Sequence, residues 1–297
     1  MKKKITSLIV SVVLLSLVFG CNSTPLEIIA GGDDRVIVID VETSDTNQLN
    51  IVWSWRASEA TDLPEGYKEY IRSVDECKSV DDNKKILLTS SSGGVILLDR
   101  ETKQVLFYAH APNAHSAEWL PNNRIIVALS TAEEGNRIEL YDVDKPDIVL
   151  YKDSLFSGHG VVWIPKTAQL FALGYKELRE YSLKNWDSKY PELQLENSWE
   201  IPGTGGHDLI SVSDQRLLLT ARDGVWNFDI PGDEFSSFTP LDTVRDVKSV
   251  NLDEKTQRLI YTKAEIRWWT HHIYCMNPDK IITVPDIRLY KVRTISE

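Results

Sequence analysis

The chain has 297 residues, with 44 acidic against 33 basic side chains and a formal net charge of −11. That balance argues against nucleic acid as a partner, because phosphate binding needs clustered basic side chains. Only three cysteines stand in a length ample for a full core, which excludes a fold built on disulfides.

Lys2, Lys3 and Lys4 precede the apolar residues 8–19, and small residues lead to Cys21. Residues 1–20 read as an export signal, too short and wrongly flanked for a membrane span. The run Val18-Phe19-Gly20-Cys21 resembles the lipobox of bacterial lipoproteins. The resemblance implies that Cys21 becomes the first mature residue and carries lipid, with acyl chains as the only membrane attachment. Residues 21–25 would then be a short tether, and residues 26–297 a single domain. No acid directly follows Cys21, whereas surface export of the Bacteroidota lipoproteins that the chain resembles goes with acids there, so the resemblance implies a periplasmic over a cell-surface placement in the envelope. Cys77 and Cys275 remain, either as one disulfide or as two buried thiols.

The mature chain opens on EIIAGG, RVIVIDV and NIVWSWR, three strand-like runs, and then a long loop over residues 57–71. From there one unit recurs. Lys85 precedes ILLTS, Arg124 IIVAL, Gln169 LFALG, Arg216 LLLTA and Arg258 LIYTK. One turn and one strand upstream of these stand Glu76, His115, His159, His207 and Lys248, with Asp75 as the alternative to Glu76 where the turn can be read with either length. Each unit continues into runs such as GVILLD, RIELYDV or GVWNFDI, and often a fourth such as QVLFYAH.

Four short strands per unit of about forty residues is the period of a β-propeller blade. A β-sandwich also has evenly spaced strands but gives no reason for one unit to recur. The expected fold is all-β, a six-bladed propeller, with seven blades as the alternative count. The run DIRLYKVRTI near the C-terminus is expected to become the inner strand of the blade begun by the N-terminal strands, leaving no open edge at the seam. Residues 185–197 lengthen blade four. In blade six, IRWWTHHIYCM is expected to place Trp268, Trp269, His271 and His272 on one strand, His271 and His272 facing opposite ways, in the core or at the surface.

This repeat resembles WD-like and oligogalacturonate-lyase-like propellers. Gly158-His159 and Gly206-His207 are similar to the WD Gly-His pair, but here the histidine stands closer to the core of the inner strand, so the WD structural role is not carried over. As a whole the chain resembles envelope lipoprotein propellers of Bacteroidota. The resemblance implies a fold and leaves the activity open.

In a propeller, residues at one position of successive blades form a ring around the axis. His115, His159 and His207 are therefore candidate catalytic residues, with Glu76 and Lys248 as two further members of the ring and the sixth falling near Tyr290 to Arg293. The turns between second and third strands add Tyr175, Arg222 and Lys263 as candidate substrate contacts, beside Asp33, Asp34, Ser91, Glu133, Lys176 and Asp223. Two chemistries follow. Three imidazoles with Glu76 or a water could hold a divalent cation, as the lyase-like resemblance implies. Without a metal, the imidazoles would serve as general acid or base while Lys248, Arg222 and Lys263 hold an anionic sugar such as a uronate. A third reading has the histidines cap the inner strands by bonding a neighbouring blade's backbone. The expected function is binding or cleaving an acidic oligosaccharide; the alternative is a protein-interaction or sensory scaffold. No P-loop, G-x-S-x-G, H-E-x-x-H or C-x-x-C pattern occurs.

Overall fold

The computed structural model describes residues 26–295; the export signal, Cys21 and its tether lie outside the described residues. Six four-stranded antiparallel sheets form the blades of a β-propeller. Blade two is Val74–Val80, Lys85–Ser90, Gly94–Asp99 and Val105–His110 from the axis outwards. The inner strands of blades three to six are Ala114–Leu120, Gly160–Ile164, Gly206–Ser213 and Val247–Asp253. Blade one takes Glu27–Gly32, Arg35–Asp40 and Ile51–Arg56 from the start of the domain and its inner strand, Leu289–Ile295, from the other end. The ring closes as the repeat implies, with six blades. No helix among the described residues is long and apolar enough to cross a membrane.

Each blade is covered on both faces by its neighbours, so its second strand reads as a nearly unbroken apolar run rather than an alternating one. Arg124–Leu129 is buried at every position. The cores lie between blades. Leu87, Val95 and Leu97 of blade two pack on Ala117, Ile125 and Val127 of blade three, with Trp119 against the same cluster. At the seam, Ile28, Ala30 and Val292 of blade one meet Ile260 and Ile273 of blade six. Cys77 and Cys275 are separate buried thiols. Residues 57–71 hold a 3-10 turn at Ala57–Glu59 and one helical turn at Glu65–Lys68. Blade four is lengthened by the hairpin of Glu177–Lys184 and Glu192–Glu200.

The inner strands share an irregularity that decides where the site lies. Near the start of the strand, two residues oppose one on the neighbouring strand, a β-bulge. It falls at Asp75, His115, His207 and Lys248 in blades two, three, five and six. In blade four, Gly160 pairs with Leu173 while the His159 amide donates to the same Leu173 carbonyl. In blade one the extra pair is Tyr290-Lys291, opposite Gly31. A bulge breaks the alternation of side chains, so two successive residues of one strand serve the axis.

The second residue of each bulge stitches the ring. Ser116 Oγ accepts the Val161 amide at 3.1 Å, Asp208 Oδ2 the Val250 amide at 3.0 Å, and Ser249 Oγ the Val292 amide at 3.1 Å. In blade four this position is Gly160, where a Cβ would stand 2.6 Å from Leu209 Cβ. The remaining two members, Glu76 and Lys291, join a buried ion cluster. Arg293 bridges the carboxylates of Glu76 and Asp208. Lys291 Nζ lies 3.5 Å from Asp208 and 4.0 Å from Glu76. Burial opposes ionisation of Glu76, but Arg293, Lys291 and Lys78 together hold its carboxyl down at about 2.

Replacing Arg293 by Met would leave two buried carboxylates short of a cation. Urea unfolding at neutral pH is expected to show a loss of about 3–5 kcal/mol, against a much smaller loss for Glu76→Gln/Asp208→Asn/Arg293→Met together. A single mutant as stable as wild type would contradict this account of the seam.

Candidate functional site

Above the ion cluster the axis opens into a cavity of about 840 Å³ lined by the bulge residues Asp75, His115, His159, His207 and Tyr290. Its floor is closed, because Lys291 is fully buried beneath it and donates to the backbone carbonyls of His115 at 3.1 Å and His159 at 2.6 Å. A ligand therefore enters from one face only.

The three histidines are brought together, with ring centroids 4.3 Å apart for His115 and His159 and 5.6 Å for His159 and His207. Their hydrogen bonds differ. His115 Nδ1 is 3.0 Å from the Asn113 carbonyl, and His159 Nδ1 is 2.9 Å from the Ser157 carbonyl. A carbonyl only accepts, so each of these rings carries its proton on Nδ1 and presents the Nε2 lone pair, which meets no donor among the described residues. These bonds stay within the histidine's own segment, so the imidazoles do not stitch neighbouring backbones; the residues beneath them do. His207 instead places Nε2 2.8 Å from Lys248 Nζ and Nδ1 3.2 Å from the Tyr290 hydroxyl.

Burial pushes all three imidazoles below their ordinary value; His115 and His207 add to this at His159, and Lys248 adds at His207. Burial raises the Asp75 carboxyl and brings Lys248 down to about 8, although Asp246, 3.7 Å away, favours its charged form. At neutral pH the histidines are thus neutral, and the cation lining the mouth is the exposed Arg222, with Lys248 buried behind His207. Arg222 makes no ion pair among the described residues.

Three sequence expectations change. Glu76 is not in the mouth: the bulge puts Asp75 there and Glu76 in the ion cluster below. Lys263 lies over the Tyr274 ring at 4.6 Å and does not line the cavity. The metal reading also fails on geometry, since a lysine ammonium occupies His207 Nε2. Among the described residues no three His, Cys, Asp or Glu side chains are placed to hold a metal ion.

Tyr175, Arg222 and Ser91 do line the cavity, whereas Asp33 is taken by Arg288 at 2.9 Å and Asp34 by Ser58 at 2.7 Å. Lys248 is buried behind His207, its Nζ 5.3 Å from the Trp268 ring.

The structure adds Trp268, Trp269 and Phe156 to the mouth. The strand of blade six begins only at His272, so Trp268 and Trp269 sit on an irregular loop over the cavity instead of within a sheet. Glu265 anchors that loop by accepting from His272 Nδ1 at 2.8 Å and from the Thr270 and Tyr274 hydroxyls. Trp268 is 49% and Phe156 57% exposed, the first from blade six and the second from the segment leading into blade four. The run of consecutive aromatics was visible in the sequence, but the absence of a strand there was not.

The fold and this cavity define a six-bladed β-propeller with a one-sided axial site. Residues 26–297 match the family described as "Family of unknown function (DUF6528)", and the chain belongs to that family. No curated protein matches the chain significantly.

The buried neutral imidazoles set a pH dependence of stability. Their folded values lie below the unfolded value of about 6.5, so below that pH the unfolded chain binds more protons, and stability falls as pH drops. The urea midpoint is expected to decrease between pH 7 and 5, with a shallower decrease in His159→Gln. A decrease of the same steepness in His159→Gln would remove His159 from the cause.

Proposed function

We propose that the axial cavity binds an acidic carbohydrate, taking a chain end or single residue through its one open face. The observation that carries this reading is the unpaired Arg222 guanidinium set beside neutral imidazoles and exposed aromatic rings around one closed-bottomed cavity, with the Lys248 ammonium adding positive charge from behind His207. Arg222 suits a sugar carboxylate. Trp268 and Phe156 offer flat apolar surfaces at the entrance for the C–H faces of a sugar ring.

The free Nε2 lone pairs of His115 and His159 extend the reading from binding to cleavage. A neutral imidazole can accept the proton α to a uronate carboxylate, while the nearby cations stabilise the charge that builds up. The oxygen on the adjacent carbon leaves, and an unsaturated uronate remains. Anchored by lipid on Cys21 as the sequence implies, the propeller would meet such sugars in the envelope, on the periplasmic side.

Calorimetry with uronate oligosaccharides and their neutral counterparts tests the binding. The acidic series is expected to bind at least about tenfold more tightly, and Arg222→Ala to lose most of that preference, about 1–2 kcal/mol for a charge-assisted hydrogen bond. Equal affinity for both series would remove the carboxylate from recognition. No binding by either would reject a carbohydrate and favour a protein-interaction scaffold. Ultraviolet absorbance of the same mixtures reports whether unsaturated product forms.

A further inference from the structure

Lys248, His207 and Tyr290 form one hydrogen-bonded chain from three blades, and its polarity follows from what each atom can do. The chain runs from Lys248 Nζ to His207 Nε2 at 2.8 Å and from His207 Nδ1 to the Tyr290 hydroxyl at 3.2 Å. An ammonium has donors only, so Nε2 of His207 accepts. A neutral imidazole has one N–H, which must then be on Nδ1 and donate to the Tyr290 oxygen. The hydroxyl proton of Tyr290 is therefore not consumed by His207. It has no acceptor among the described residues, and Tyr290 lines the cavity.

The opposite polarity holds beside it. His115 and His159 present lone pairs to the cavity, and the Tyr290 ring meets His115 edge-on with centroids 5.8 Å apart. The site thus has a donating side and an accepting side within one ligand's reach.

We infer that Tyr290 is the proton donor of the axial site, supplied from Lys248 through His207. When the Tyr290 hydroxyl proton passes to a ligand oxygen, the Nδ1 proton of His207 moves to the Tyr290 oxygen and a Lys248 ammonium proton moves to Nε2. The ligand gains one proton, Lys248 ends as the neutral amine, and solvent restores its proton. No electrons change hands. The depressed Lys248 value, about 8, suits a proton source near neutral pH. Burial holds the Tyr290 hydroxyl well above its ordinary value, so donation to a ligand needs the relay behind it. Lys248 is faced by Asp246 and Arg222 besides His207, and Tyr290 by Asp75, Asp208 and Asp246 besides the histidines.

The role as donor to a ligand rests on the acidic-sugar reading, but the relay's polarity can be tested without any sugar. In full-length protein with nitrogen-15-labelled histidine, His207 is expected to be protonated on Nδ1 alone at pH 7. Lys248→Met should move that proton to Nε2, because the Tyr290 hydroxyl then donates to Nδ1. Lys248→Arg, which keeps a cationic donor, and Tyr290→Phe should leave it on Nδ1. A wild-type His207 protonated on Nε2 would reverse the chain and overturn the inference, whatever the protein binds. With a uronate bound, Tyr290→Phe is expected to weaken affinity about fivefold, the loss of one hydrogen bond, and to slow any turnover about a hundredfold. Unchanged affinity and turnover in Tyr290→Phe would equally overturn it, while absence of sugar binding in the wild type would reject the carbohydrate reading and the donor role with it.

Discussion

The contact on which the rest of the molecule depends is the bridge from Arg293 to Glu76 and Asp208. It ties the closing strand of blade one to the inner strands of blades two and five, across the axis instead of along the seam. A buried ion cluster is seldom more stabilising than an apolar plug of the same shape. What it adds is discrimination. The six inner strands are built alike and offer similar apolar faces, so packing alone tolerates a slipped register. A slip by one residue would turn Arg293 away from both carboxylates and leave charges buried without partners.

The cavity follows from the same layer. Lys291 holds the carbonyls of His115 and His159 from below, while the bulges turn the preceding residues outward into the mouth. A plain strand would have sent alternate residues to the axis and to the sheet face, and would have provided one axial ring near the strand start. The bulge provides two rings in succession, one carrying structure and one available to a ligand. This separation lets the upper ring vary from acid to imidazole to ammonium to phenol without disturbing closure.

It also explains what could be read from the sequence and what could not. The blades were legible because both faces of each second strand are buried, leaving apolar runs such as IIVAL and LLLTA at a steady interval. Closure by the C-terminal strand was legible from the incomplete first blade. The histidines aligned correctly, but the choice between Asp75 and Glu76 depended on a bulge that period-two reasoning cannot see, since both neighbours reach the axis. The sixth member is legible only as one of residues 290–293, and the bulge decides that Tyr290 enters the mouth while Lys291 lies beneath it. The β-forming neighbours of Trp268 and Trp269 point to a strand, whereas the hydrogen bonds of Glu265 fold that stretch into a loop. The turn that carries Lys263 points to the mouth, but its side chain leaves it for the Tyr274 ring.

Closure of the ring by Leu289–Ile295 has a consequence for the order of events during synthesis. Tyr290, Lys291 and Arg293 are translated after every other residue of the axial site, yet they supply its phenol, the support under two histidines and the lock of the ring. Five sets of strands can pair locally as they emerge, but the cavity has no floor until this segment arrives. Folding and the acquisition of a functional mouth are therefore a single final event, and a chain interrupted before it would carry nearly all of the propeller's sequence and none of its site.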